Sequence, residues 1–263
     1  MRLVNISVDV EKDLHSDSFL GVTNGLKLFE KLAEKYNFKP TLFVTGDVIE
    51  KHGNIFKILQ DKGWEIGYHS YNHKRYDEMS FKEKEEDIRK GLVIFEKYGL
   101  KMKGFRAPQH SIDKETFSLL KKNEFKYDSS IAAKDGHQLV HVFKIVNKKP
   151  WNWLKQVFSK SDPYNKNGVY EIPTSALFFS FVGYSLRVFP LVFIKFLFLI
   201  FFRRKIVVFY CHSWDFIELK NSLTYRVCNL NKFLNRLDKL LFFMAKKGKF
   251  VKLEDVHENI NRN

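Results

Sequence analysis

Cysteine is scarce in this 263-residue chain: Cys211 and Cys228 stand alone, without Cys-x-x-Cys spacing. That excludes a disulfide-stapled scaffold and a thiolate metal site, and it fits a reducing compartment. Proline (6) and glycine (13) are few, no Pro/Gly/Ser-rich linker divides the chain, and no internal repeat or low-complexity tract is visible. A single domain over residues 1–263 is therefore expected. Acid is in deficit as well, with 30 Asp and Glu against 45 Lys and Arg, a formal net charge of +15. The lysines are spread along the chain with no recognition motif or aromatic platform, which argues against nucleic acid as the partner. A spanning helix needs about 20 apolar residues, and the apolar stretch Val188 to Phe202 falls short, with Pro190 near its start, Lys195 inside it and Arg203-Arg204-Lys205 after it. Either it packs as an outer helix, against its neighbours or a second copy in a homo-oligomer, or it makes a peripheral membrane contact through 188–205. The first strand begins at once and leaves no room for a leader before Asp9, so the expected location is cytoplasmic, peripheral at the inner membrane surface if that stretch engages lipid.

Against these absences stand two histidines four residues apart, His69 and His73 in Gly67-Tyr68-His69-Ser70-Tyr71-Asn72-His73. They follow an apolar run, Trp64 to Tyr68, that favours a strand, and at that spacing one metal ion can reach both rings. Ser70 is expected to cap a following helical turn. Four further polar clusters follow β-prone runs in the same way: Asp9-Val10-Glu11, Arg106-Ala107-Pro108-Gln109, Asp128-Ser129-Ser130 and His212-Ser213-Trp214-Asp215. Between them, Leu26 to Tyr36, Val48 to Asp61, Phe81 to Tyr98 and Lys114 to Asn123 repeat apolar residues at helical spacing. Strand, polar cluster and helix in alternation predict a parallel α/β sheet, and in a closed barrel such clusters converge at the C-terminal ends of the strands. Residues Lys134 to Asn167, with Trp151, Trp153 and Phe158, break the rhythm and are expected to form an excursion over the barrel mouth.

The ordered set of five clusters resembles the NodB-type polysaccharide deacetylases of carbohydrate esterase family 4, with His-[Ser/Thr]-x-x-His, Arg-x-Pro and a late strand ending in His, and spans Asp9 to His212. Gly183 to Pro190 together with Phe209 to Asp215 looks most like the branch linked to prokaryotic surface-polysaccharide systems. The resemblance implies a distorted (β/α)7-8 barrel and a metal-dependent hydrolase that removes N-acetyl or another N-acyl group from amino sugars of a glycan or a lipid-linked precursor. It also implies roles. Asp9 takes the general-base position, oriented by Arg106; His212 is the acid for the leaving nitrogen, and Asp128 the carboxylate that keeps it protonated. The family's first motif carries two adjacent aspartates, but here Val10 follows Asp9. Glu11, on the same side of an extended strand as Asp9, is the substitute ligand expected with His69 and His73, and Asp13 and His15 are fallbacks. One carboxylate and two imidazoles suit Zn2+ first, with Co2+, Mn2+ or Fe2+ also acceptable. Two alternatives share these residues: a non-catalytic glycan-binding barrel, since Val10 breaks the metal motif, and a related C–N hydrolase such as a deformylase or small-amide hydrolase. His52, His110, His137, His141 and His257 show no ligand spacing and are expected to be solvated surface residues.

Overall fold

The computed structural model describes residues 2–133, 161–177, 179–219 and 223–261. In chain order the strands are β1 (Arg2–Val10), β2 (Thr41–Val44), β3 (Glu65–Tyr68), β4 (Gly104–Phe105), β5 (Tyr127–Asp128), β6 (Ala132–Ala133), β7 (Tyr164–Lys166), β8 (Val169–Glu171), β9 (Thr174–Ser175), β10 (Ile206–His212) and β11 (Gly248–Phe250). The helices are α1 (Leu26–Lys35), α2 (Gly46–Asp61), α3 (Phe81–Lys97), α4 (Lys114–Lys122), α5 (Gly183–Val188), α6 (Leu191–Phe201), α7 (Leu223–Val227), α8 (Leu230–Ala245) and α9 (Leu253–Asn261). The main sheet runs β10-β1-β2-β3-β4-β5-β8-β7, with β11 beside β1. Every pair in it is parallel except β7–β8. After β8 the chain curls back toward the other edge: Val208 N–H donates to Ser175 Oγ at 3.0 Å, and Val182 bridges to Tyr210. The expected distorted barrel is thus a curled mixed sheet, a half-barrel with helices outside.

Alternation in β1 sorts its side chains. Val4, Ile6, Val8 and Val10 are buried in the apolar layer beneath the helices, while Asn5, Ser7 and Asp9 point to the interior, a placement that the period of two dictates. The helices begin where the chain supplies caps. Ser80 and Glu83 close a reciprocal capping box on α3, and Asp113 accepts from Thr116 N–H at 2.9 Å on α4. Helix α1 is extended backward by a π-helical turn, Gly21–Gly25. A Cβ on Gly21 would lie 2.7 Å from the Ser213 carbonyl carbon, so only glycine lets this turn press against the loop after β10.

Of the expected excursion from Lys134 to Asn167, residues 134–160, with Trp151, Trp153 and Phe158, lie outside the described residues. Its end returns as β7, which forms a hairpin with β8. Most of the stretch 188–202 folds as α6, which buries Ile194, Leu197, Phe198 and Phe201, while Val188 ends α5. Among the described residues no helix is long and apolar enough to cross a membrane.

The opposite end of the interior from the polar clusters is closed by a buried polar network. Asn5 donates to Thr41 Oγ1 at 3.1 Å, Thr41 donates to Glu65 Oε2 at 2.7 Å, and Tyr127 donates to Glu65 Oε1. Burial, reinforced by the Glu254 carboxylate, pushes Glu65 up to about 7 against these hydrogen bonds. A carboxyl with a raised folded pKa stabilises fully below its unfolded value of 4.5, and that contribution is lost as pH rises through about 7. Glu65→Gln should therefore flatten the stability profile between pH 5 and pH 8, removing a slope worth up to about 3 kcal/mol in the wild type. Urea melts across that range measure it, and an unchanged slope would refute the assignment.

Candidate active site

The strand ends bring most of the expected residues to one place. Asp9 and His212 are register partners on adjacent strands β1 and β10. His69 follows β3 and Arg106 follows β4, and Arg106 N–H donates to the Tyr68 carbonyl at 3.0 Å. The ligand atoms of Glu11, His69 and His73 all lie within 4.8 Å of one another.

The loop carrying the two histidines is held in a costly conformation. Ser70 and His73 have φ of 65° and 55°, the left-handed region that L side chains avoid by about 1–2 kcal/mol each. Asp87 of α3 is the anchor: its carboxylate accepts from Ser70 Oγ (3.1 Å), Tyr71 N–H (2.9 Å), Tyr68 OH (2.8 Å) and Tyr76 OH (2.5 Å). Ser70 therefore caps no helix, contrary to expectation. Its hydroxyl is committed to Asp87, and the chain bends without forming a helical turn.

His69 is buried, and Nδ1 lies 2.7 Å from the Arg106 carbonyl oxygen, which can only accept. Burial lowers its pKa to about 4 in spite of Asp9 and Glu11 nearby, so the ring is neutral at pH 7 with the proton on Nδ1. Nε2 is left with a free lone pair, the arrangement that orients a ligating imidazole. His73 Nε2 stands 2.5 Å from Glu11 Oε2, and Trp214 Nε1–H donates to Glu11 Oε1 at 2.9 Å. Burial raises the Glu11 carboxyl, but the His73 contact and the surrounding imidazoles outweigh it and bring it to about 2. Val10, where an adjacent aspartate was to be expected, is wholly buried on the outer face of β1 and faces away from the site. One carboxylate and two imidazoles converging this closely fit a divalent cation. The fallback ligands are elsewhere employed or placed. Asp13 accepts from Ser18 Oγ, Leu20 N–H and Gly21 N–H at 2.5–2.8 Å and shapes the turn before α1, while His15 is exposed.

Beside the triad, Arg106 Nη1 donates to Asp9 Oδ1 at 2.7 Å and to Ser7 Oγ at 3.1 Å, with its guanidinium 4.2 Å over the Phe43 ring. Burial raises Asp9, but the Arg106 cation and the imidazoles of His69 and His212 more than offset it and hold the carboxyl at about 2. His212, the register partner of Asp9, lies close to both the Asp9 and Glu11 carboxylates. Its ring stacks on Trp214 at 4.3 Å, and Nδ1 is 3.8 Å from Asp215 Oδ2, an ion-pair distance beyond hydrogen-bond length. Burial lowers the His212 pKa, yet the carboxylates of Asp215, Glu11 and Asp9 more than reverse this and raise it above the ordinary imidazole value.

Asp128 is not the partner of His212, which corrects the expectation from sequence. Its carboxylate closes its own turn, accepting from Ser130 N–H (3.0 Å) and Ser130 Oγ (2.5 Å). The same element then props the arginine: Ala107 N–H donates to Ser130 Oγ (2.7 Å), and Arg106 donates to both the carbonyl and the hydroxyl of Ser129 (3.0 Å each). The carboxylate facing His212 is Asp215, three residues on, which accepts from the His212 backbone N–H at 2.9 Å. A buried Arg187 in turn binds Asp215, through Nε to Oδ1 (3.2 Å) and Nη2 to the backbone carbonyl (2.5 Å), and Tyr225 OH donates to Oδ1 at 2.8 Å. A signal was available, since an acid three residues beyond a strand-terminal residue can cap the turn that starts there. His110 also departs from the solvated reading. It is half-buried, Nδ1 donating to the Ser130 carbonyl (2.7 Å) and Nε2 lying 3.0 Å from Tyr210 OH. His137 and His141 lie outside the described residues.

A half-barrel of mostly parallel strands carries a carboxylate and two histidines at its C-terminal ends, flanked by an Asp–Arg pair and a His–Asp pair, an arrangement chemically suited to metal-assisted hydrolysis. Residues 21–127 match the family model for polysaccharide deacetylase, a span that takes in His69, His73 and Arg106 but neither Glu11 nor His212. A peptidoglycan deacetylase of Helicobacter pylori is 32% identical over 128 residues, 48% of this chain and 43% of that protein, so the chain spans under half the length of this relative. Among solved structures, a Mycobacterium smegmatis protein described as a polysaccharide deacetylase superposes with a TM-score of 0.71 over 99% of this chain and 90% of that one, at 15% identity. An allantoinase does so with a TM-score of 0.68 over 97% and 89%, at 13% identity. Over residues 21–127 the chain is thus similar to the polysaccharide deacetylases, and it shares the fold of the solved structures named above.

Proposed function

We propose that this protein is a metal-dependent hydrolase that removes N-acetyl, or another N-acyl, groups from amino sugars of a glycan or a lipid-linked glycan precursor. The observation that carries the reading is the convergence of Glu11, His69 and His73 within 4.8 Å, beside the register partners Asp9 and His212. Amide hydrolysis needs a nucleophilic water, a stabilised oxyanion and a proton for the leaving amine. A divalent cation held by Glu11, His69 and His73 would supply the first two, lowering the pKa of water toward about 7 and polarising the carbonyl.

The remaining steps belong to the protein's own groups. Asp9 offers the carboxylate oxygen that Arg106 leaves free as the acceptor for the water's proton. Held at about 2, Asp9 is ionised at every working pH, so its titration does not set the acid limb of the rate profile. His212, protonated more readily than a free imidazole, donates its proton to the departing nitrogen, and the bond from carbonyl carbon to nitrogen breaks as that transfer completes. Trp214 joins the two halves, stacked on the acid and bonded to the ligand carboxylate.

Elemental analysis of the purified protein, reconstituted with Zn2+, is the direct test. About one ion per chain is expected in the wild type and in Asp9→Asn, and Glu11→Ala or His73→Ala should lose it with at least about tenfold weaker affinity. Retention of the ion by Glu11→Ala would remove Glu11 from the ligand set, and a wild type that takes up no metal would leave a non-catalytic glycan-binding barrel.

A further inference from the structure

We infer that the outer face of α6, with the neighbouring turn of α8, is a docking surface for a membrane bearing anionic phospholipid headgroups. Helix α6 is apolar on both faces but buries only one. Val192 is 79% exposed, Phe196 57% and Leu199 45%, one stripe at four- and three-residue spacing on α6, and Val188 at the end of α5 is 48% exposed. Phe242 of α8 adds a further large apolar side chain, 50% exposed. A contiguous apolar patch on an outer helix implies a partner.

Charge identifies that partner. No aspartate or glutamate occurs between Glu171 and Asp215, whereas Lys195, Arg203 and Lys205 do, beside an Arg204 packed on Phe201 and near Asp162, and from Lys239 to Leu253 the chain again carries lysines and no acid. The basic groups border the apolar ones. Lys195 Nζ lies 5.2 Å over the Phe243 ring and Lys246 Nζ 4.3 Å over Phe242. Lys195, Lys239 and Phe242 also line an open groove of about 500 Å³ between the two helices, where Asp238, the acid present, is paired with Lys35 at 2.6 Å. Apolar side chains ringed by cations suit a bilayer interface, where the former enter the acyl boundary and each Lys or Arg gains from the anionic surface. A second copy fits poorly, because a two-fold interface brings the same patch against itself and would set these cations face to face.

The test is flotation of the full chain with vesicles of phosphatidylcholine containing about 30% phosphatidylglycerol. The wild type should float with them, less with phosphatidylcholine alone, and less again when salt rises from about 0.1 M to about 0.5 M. The paired substitution Val192→Asp and Phe196→Asp, at exposed positions that the fold does not need, should reduce partitioning by at least about tenfold with an unchanged melting temperature. Wild type that stays in the aqueous fraction, or a paired variant that still floats, would overturn the inference. So would a wild-type dimer, seen in sedimentation, that the paired variant converts to monomer, because the patch would then be a subunit interface.

Discussion

Asp9→Asn should lose turnover by about 10²- to 10⁴-fold while keeping its metal and its fold. The amide oxygen can still accept from Arg106 Nη1, and Arg106 retains Ser7 and both groups of Ser129 as partners, so the arginine is not left bare. The loss of stability should stay below about 3 kcal/mol, the cost of a weakened buried ion pair whose hydrogen bonds survive. The sign of its pH dependence is fixed by the lowered carboxyl. Asp9 stabilises the fold above its unfolded pKa of 3.8 and ceases to do so as pH falls through about 2, so the variant should lose the wild type's decline across that interval. Acetate release from an N-acetylated oligosaccharide, with metal content on the same sample, measures the effect. A fully active variant would take the base role away from Asp9, and an inactive one without metal would place Asp9 among the ligands.

Much of this site was legible because strand periodicity is simple. The step from Asp9 to Glu11 preserves the face of β1, and Val10 fills a place in the outer apolar layer that a charge could not occupy cheaply. The four helix ranges were equally legible, since apolar spacing and caps fall within about two residues of the observed ends. What misled was local hydrogen bonding. Ser70 and Asp128 are both good cappers, but Ser70 answers to Asp87, seventeen residues away, and Asp128 spends its oxygens on Ser130. The first choice is not encoded in spacing, because it depends on which polar group the tertiary fold delivers, whereas the second is a local turn that an aspartate two residues before a serine favours. Arg187 illustrates the same limit: on its own segment it is one cation in an apolar run, and only the packing of α5 against β10 and α8 buries it between Tyr225 and Phe233 at 3.9 and 4.0 Å.

Asp215→Asn should lower kcat by about 10- to 100-fold and move the alkaline limb of the rate profile to lower pH. The Asp215 carboxylate is one of the charges that keep the His212 imidazolium protonated against burial. Without that charge the proton leaves at lower pH and the acid form needed for the leaving nitrogen is depleted sooner. The same substitution leaves the Arg187 cation buried with only carbonyl partners, so a fall in melting temperature is expected as well and does not by itself reveal a catalytic role. Tyr225→Phe separates the two effects. It removes one hydrogen bond to Asp215 Oδ1 and leaves the carboxylate charge, so it should cost about 1 kcal/mol of stability with the limb in place. A limb that stays put in Asp215→Asn, or moves equally in Tyr225→Phe, would reduce Asp215 to a packing residue. A shift confined to Asp215→Asn ties the acid step to an electrostatic chain from Arg187 through Asp215 to His212, which puts the determinant of the alkaline limb outside the metal triad.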